Sequence, residues 1–190
     1  MKKYLLFIVL AVMTACKSND KSSVKHAGHD SDYSFGPLKD TIPVNQTFTD
    51  ADFDMFGDIR IGQHYMEVIR ILGVPARKTN PVQWDADGLD HEAWDYKTQG
   101  LVINMSSDKL NADKTRSVFS ITAREACPFK TTRNISIGSS YAEVTEAYKN
   151  AIDQSSTDTT MITVGSVYGG IIFSFKNNKV ETIFFGSAAE

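Results

Sequence analysis

The sequence predicts an α+β domain of two tandem units, in which each unit is a short helix or helical pair followed by a three-stranded antiparallel meander. Three observations predict this class: a segment that recurs at an offset of 76 residues, an amphipathic helix pattern in each copy, and strand-like stretches after each helix. The repeat units span about 59–125 and 135–186. We expect them to form one helix-on-sheet domain within residues 47–190.

The repeat begins with the pattern I-x-I-G, which occupies residues 59–62 and returns at 135–138. The identities continue with Tyr65, Glu67 and Val68, which return as Tyr141, Glu143 and Val144. In the second copy Ser140 and Glu143 form the S-x-x-E pattern of a capping box, which predicts a helix start. His64 takes the serine position in the first copy.

Each helix pattern has one apolar face. In the first copy this face is formed by Tyr65, Val68, Ile69 and Leu72, and Gly73 and Pro75 predict the end of the helix. In the second copy it is formed by Val144, Ala147, Tyr148 and Ile152. Both patterns are typical of helices that cover a sheet.

Six strand-like stretches follow the helices, three in each copy. They are residues 92–96, 101–105, 118–122, 161–164, 170–175 and 180–185. Asn177 and Asn178 predict a hairpin turn, because Asn tolerates a positive φ. One unit alone would leave an apolar sheet face uncovered, so we expect two copies to complete one core.

The order of I-x-I-G, short helix, G-x-P and strands resembles the small outer-membrane lipoproteins of the β-barrel assembly machinery. In duplicate it is similar to the β-lactamase inhibitory protein and its relatives, over about Ile59 to Phe185. The resemblance implies helices on one face of a continuous sheet and binding through a concave sheet surface. It implies no catalytic residues.

The first 15 residues have the outline of a signal peptide, with Lys2 and Lys3 followed by an apolar stretch. As a helix, residues 4–15 would be roughly 18 Å long, well short of the roughly 30 Å hydrocarbon core of a bilayer. Met13 is too large for an ordinary A-x-A cleavage site. Residues 13–16 instead resemble the lipobox of bacterial lipoproteins, which implies acylation, including palmitate, at Cys16. The alternative is a buried Cys in a plain signal sequence.

Residues 16–46 are predicted to be the lipidated Cys and a flexible polar tether. By the same resemblance, Lys17 instead of Asp after the Cys favours the outer membrane. Loss of Lys2 and Lys3 leaves 18 basic against 23 acidic side chains, a net charge near −5 that does not favour nucleic acid binding. Cys127 would be the one remaining thiol, which excludes an intramolecular disulfide and favours an inert buried side chain.

Residues 84–92 form the most conspicuous charged stretch in the domain. Asp85, Asp87, Asp90 and Glu92 are weak candidates for a metal site, with His91 as a possible additional ligand. Their spacing does not match an EF-hand loop. Asp and Gly in this order favour a hairpin turn, and we predict neither a metal nor a cofactor here.

Aromatic residues give a stronger indication of a binding surface. Alternation along a strand places Trp94 and Tyr96 on the same sheet face, which is either buried under the helices or open to solvent. Exposed Trp and Tyr residues dominate many protein interfaces. Trp84, Trp94 and Tyr96 are therefore candidates for a protein interface.

The sequence contains no catalytic motif of the hydrolase, P-loop or zinc-protease type. We therefore predict a non-enzymatic, lipid-anchored envelope protein that binds another envelope protein and that contacts the membrane through Cys16. The alternatives are an inhibitor of an envelope enzyme, a metal-binding or small-ligand-binding envelope protein, and a small hydrolase with dispersed residues.

Overall fold

The structure is a computed structural model that describes residues 52–53, 55–166 and 168–188. These residues belong to a unit that spans Asn45–Glu190. The predicted signal peptide, lipidation site Cys16 and tether, residues 1–46, lie outside the described residues.

The described chain is organised around one large antiparallel sheet. Its strands are β1 (Met55–Phe56), β2 (Ile59–Arg60), β3 (Arg77–Lys78), β4 (Val82–Gln83), β5 (Asp90–Tyr96), β6 (Leu101–Ser107), β7 (Ser117–Ala123), β8 (Met161–Ser166), β9 (Gly169–Lys176) and β10 (Lys179–Gly186). The first two pair with each other, and the other eight form a sheet of order β3-β5-β6-β7-β10-β9-β8 with β4 also paired to β5. All six predicted strands are present, and Asn177 and Asn178 turn between β9 and β10 with φ of 52° and 60°.

Three short helices occur among the described residues: α1 (Tyr65–Leu72), α2 (Ala112–Thr115) and α3 (Tyr141–Tyr148). Both predicted helix starts are confirmed. The side chain of His64 accepts a hydrogen bond from the backbone N–H of Met66, and Ser140 and Glu143 form the predicted capping box. None of these helices has the length and apolar character needed to cross a bilayer.

The predicted fold class is wrong. The described chain is mostly β, because the eight-stranded sheet is continuous and the helices contain only 8, 4 and 8 residues. The two halves also differ: residues 77–83 add β3 and β4 beside β5, whereas residues 154–156 form a 3₁₀ turn. The α+β description as two helix-plus-meander units therefore does not hold, since strand residues far outnumber helical ones and the first half contains two strands that the second half lacks.

The core lies between the sheet and the helices. Trp94 packs edge to face against Tyr65 of α1 at a ring centroid distance of 6.0 Å, and Phe173 of β9 packs against Tyr148 of α3 at 5.4 Å. Val68 and Val144, at equivalent positions of the repeat, are both fully buried. The face of the sheet that carries Trp94 and Phe173 is therefore the covered one, and we call the opposite face the open face.

Candidate binding groove on the open sheet face

The open face carries the residues that alternate with the core. On β10, Phe184 lies between the fully buried Ile183 and Phe185, and on β9, Ile172 lies between the fully buried Ile171 and Phe173. Because successive side chains on a strand point to opposite faces, Phe184 and Ile172 point away from the helices. The two residues are cross-strand partners, and both remain half-buried. They form an apolar strip on the open face.

A β-bulge adds a third apolar side chain to this face. Asn104 of β6 pairs with Ser120 of β7, but the next residue, Met105, pairs with Val118, so Phe119 has no partner on β6. A bulge changes the alternation of side chains locally. Phe119 consequently contacts Trp84, with ring centroids 5.5 Å apart, on the side of the sheet away from the core.

These residues line a groove with a volume of about 300 Å³. We call it the open-face groove, and its lining residues are Trp84, Asn104, Phe119, Ser120, Ile172, Phe184, Ser187 and Ala188. The side-chain amide of Asn104 donates a hydrogen bond to the hydroxyl of Ser120 at 3.2 Å. The groove therefore combines aromatic and aliphatic walls with a small polar element, as is typical of sites that bind apolar groups in a fixed orientation.

Trp84 is held at the groove by His91. The two rings are stacked, with centroids 3.7 Å apart and planes 9° from parallel. The Nε2 atom of His91 lies 2.8 Å from Oδ2 of Asp87, and Oδ1 of Asp87 accepts a hydrogen bond from the backbone N–H of Leu89. This backbone hydrogen bond, and then the interaction with His91, hold the pKa of Asp87 below its ordinary value. The Asp87 carboxylate thus connects the backbone of the turn to the imidazole of His91, and the imidazole in turn fixes the position of the Trp84 indole.

The acidic stretch forms the predicted hairpin turn. The backbone N–H of Gly88 donates to the carbonyl of Trp84, that of Trp84 donates to the carbonyl of Leu89, and Gly88 has a φ of 71°. That φ favours Gly over residues with a side chain. The hairpin joins β4 to β5, so sequence reasoning located this turn correctly.

The structure does not bring the four carboxylates together. Asp85 is exposed, and Asp87 is bound to His91. Glu92 lies 2.6 Å from Nε of Arg116, close enough for an ion pair although the N–H is not aligned for a hydrogen bond. Alternation along β5 puts Asp90 on the face of Glu92, opposite His91. Within the described residues, no group of three or more His, Cys, Asp or Glu side chains converges on a common point.

The three aromatic candidates are separated by the sheet. Trp94 and Tyr96 are 0% and 2% exposed, and burial raises the pKa of Tyr96 to about 12. Both therefore belong to the core, and neither presents a surface to a partner. The interface prediction is wrong for these two residues, because Trp94 packs against Tyr65 of α1 and Tyr96 is buried on the same face of the strand, whereas Trp84 lies at the open-face groove.

Sequence reasoning missed Phe119, Ile172 and Phe184. The available signal was their position between core residues on neighbouring strands, which places Ile172 and Phe184 on the face opposite the core. Phe119 depends on the bulge, for which the sequence offered no sign. The predicted burial of Cys127 is confirmed, and burial raises the pKa of its thiol.

Comparison of the chain with protein-family models, curated proteins and solved structures gave no match. The resemblance to the inhibitory-protein family therefore stays a prediction.

A second depression, of about 470 Å³, lies where α1 begins. Its lining is mainly polar, and several of these groups already bind one another. The amide of Gln63 donates to Glu67 at 3.3 Å, and the backbone N–H of Arg60 donates to Oε1 of Gln63 at 2.9 Å. We therefore regard the smaller open-face groove, with its half-buried aromatic walls, as the better candidate site.

Proposed function

We propose that this chain is a lipid-anchored, non-catalytic protein of the cell envelope that binds a partner protein through the open-face groove. The observation that carries the proposal is the set of half-buried apolar side chains, Trp84, Phe119, Ile172 and Phe184, which line one groove that none of the described strands and helices covers. Apolar grooves with polar residues at their rim are among the surfaces that bind other molecules. Trp is also among the residues that contribute most to protein interfaces.

The rigidity of the groove supports this role. Its floor consists of hydrogen-bonded strands, and Trp84 is fixed by its stack on His91. A side chain that is already ordered loses little conformational freedom on binding, so more of the contact energy remains as affinity. The same packing leaves His91 only 4% exposed, which favours support of the indole over contact with a substrate.

The edges of the sheet are poorly suited to a partner strand. Beside β8, the backbone N–H of Asp153 donates to the carbonyl of Thr163, and that of Gly165 donates to the carbonyl of Ala151. At the other edge, β3 and β4 have two residues each, and β3 consists of the exposed Arg77 and Lys78. Short, charged or covered edges oppose strand addition. A partner is therefore expected on the open face.

The lipid anchor rests on residues 13–16 and is part of the proposal. One acyl chain binds membranes only marginally, whereas several give lasting attachment. An anchored domain then meets envelope proteins at a high effective concentration, so a groove of modest affinity is sufficient. A binding role in the envelope accordingly requires no deep pocket.

Site-specific photocrosslinking in intact envelopes tests the proposal. A photoreactive residue replaces Ile172 in the groove or, as the control, Val74, which is 79% exposed outside the groove. We expect a discrete crosslinked protein from position 172 and none from position 74. A second substitution, Phe184→Ser, should abolish the product from position 172. The proposal fails if both positions give the same products, or if Phe184→Ser leaves the product unchanged.

A further inference from the structure

We infer that the open-face groove takes a protein segment that presents an apolar side chain flanked by Lys or Arg. This inference rests on the proposed function and specifies the chemistry of the partner. Among the described residues, the eight that line the groove include no charged side chain, so this part of the groove selects an apolar group. The charges beside it then decide what can flank that group.

The charged side chains next to Trp84, which forms one wall of the groove, are acidic. Asp85 follows Trp84 directly and is exposed, and Asp87 lies on the same turn with its side chain 32% exposed. Residues 84–89 contain no Lys or Arg. Because its hydrogen bonds lower the pKa of Asp87, that carboxylate stays ionised to lower pH than an ordinary Asp. The turn that carries Trp84 therefore has two carboxylates and no Lys or Arg, so a segment bound against Trp84 lies beside a negatively charged turn.

Charge complementarity favours a basic flank for two reasons. A cation beside Asp85 gains an exposed ion pair, which is small but favourable. An anion at the same place meets like charge, which opposes binding and lowers the association rate. The preference for a basic flank thus depends on the sign of the flanking charge. Its contribution to affinity adds to that of the apolar contact in the groove.

Three matched peptides without Trp test the inference on the full chain purified in detergent. They carry Phe between two Lys, Phe between two Glu, and Ala between two Lys. Emission of Trp84 reports binding, and the variant Trp84→Phe identifies its part of the signal. We expect saturable binding of the Lys-flanked Phe peptide, about tenfold tighter than that of the Glu-flanked peptide, and none with the Ala peptide.

The variant Asp85→Asn distinguishes the contribution of the negative charge from that of the apolar groove, because it removes the charge and leaves the groove lining unchanged. It should weaken binding of the Lys-flanked Phe peptide about threefold and should not weaken binding of the Glu-flanked one. Equal affinity for the two Phe peptides, or no saturable binding of either, overturns the inference. If crosslinking from position 172 nevertheless yields its discrete product, the proposed function stands and only the inferred chemistry of the bound segment is wrong.

Discussion

Trp84 and His91 stack face to face, with ring centroids 3.7 Å apart, and Phe119 meets the edges of both rings at 5.5 and 4.7 Å. This arrangement connects the hairpin of residues 84–89 to the open face of the sheet. It converts a surface tryptophan into a fixed wall of the open-face groove. Binding at the groove, as proposed above, depends on that rigidity.

The first prediction concerns His91. The change His91→Ala removes a buried ring, its stack on Trp84 and its contact with Asp87, and we expect it to lower the free energy of unfolding by about 2 kcal/mol. Because Trp84 then loses its support, its fluorescence should shift toward the emission of a solvated indole. Urea denaturation followed by fluorescence measures both effects. An unchanged stability and spectrum would show that the stack does not hold the indole.

The second prediction compares two positions related by the repeat. Val68 and Val144 are both 0% exposed and lie on α1 and α3. Each change to Ala should lower the free energy of unfolding by about 2–3 kcal/mol, because each opens a cavity between helix and sheet. Met66→Ala, at a position that is 62% exposed, should cost less than about 0.5 kcal/mol. A small cost at either valine contradicts the described packing.

The third prediction concerns the loss of folding stability at low pH. The hydroxyl of Thr160, and then its backbone N–H, hold the pKa of Asp158 below its ordinary value. A lowered pKa in the folded state gives stability that is complete above the ordinary pKa and is lost as the pH falls through the lowered one. Asp158→Asn should therefore reduce the loss of stability on acidification, as measured by urea midpoints between pH 5 and pH 2. Thr160→Ala should act in the same direction but more weakly, and an unaltered acid dependence in Asp158→Asn would contradict the assignment.

The fourth prediction concerns the anchor. Cys16→Ala should abolish incorporation of labelled palmitate and should move the chain from the membrane fraction to the aqueous fraction, because it removes the predicted acylation site. Cys127→Ala is the matched control, since that thiol is buried in the domain. It should leave both labelling and fractionation unchanged. Labelling that persists in Cys16→Ala would exclude the lipobox assignment.

Local features of the fold could be predicted from the sequence, but its class could not. The repeat and the capping pattern located the starts of α1 and α3, because short-range hydrogen bonds such as that between Ser140 and Glu143 determine a helix start. Strand alternation located β5 to β10. The class depended on how much of the chain is strand, and the two-residue strands β3 and β4, which only the first half has, are too short to produce an alternating pattern.

The candidate site was predictable only in part. Alternation placed Trp94 and Tyr96 on one face, but it could not decide whether α1 covers that face. Trp84 was recognised from its type, whereas its stack on His91 depends on the hairpin that joins β4 to β5. Phe119 faces the groove because of the bulge opposite Asn104 and Met105. A shift of register of this kind depends on tertiary packing, so local sequence patterns do not indicate it.

If a partner protein binds at the open-face groove, as we propose, the affinity of the crosslinked partner should differ between a variant in the groove and a variant elsewhere on the domain. We expect Phe184→Ser, in the groove, to raise the dissociation constant about tenfold or more, since loss of a central aromatic contact typically has an effect of this size. Met66→Ser, on the exposed side of α1, should leave it unchanged. Equal dissociation constants for the wild-type chain and Phe184→Ser would show that the partner does not bind at the groove.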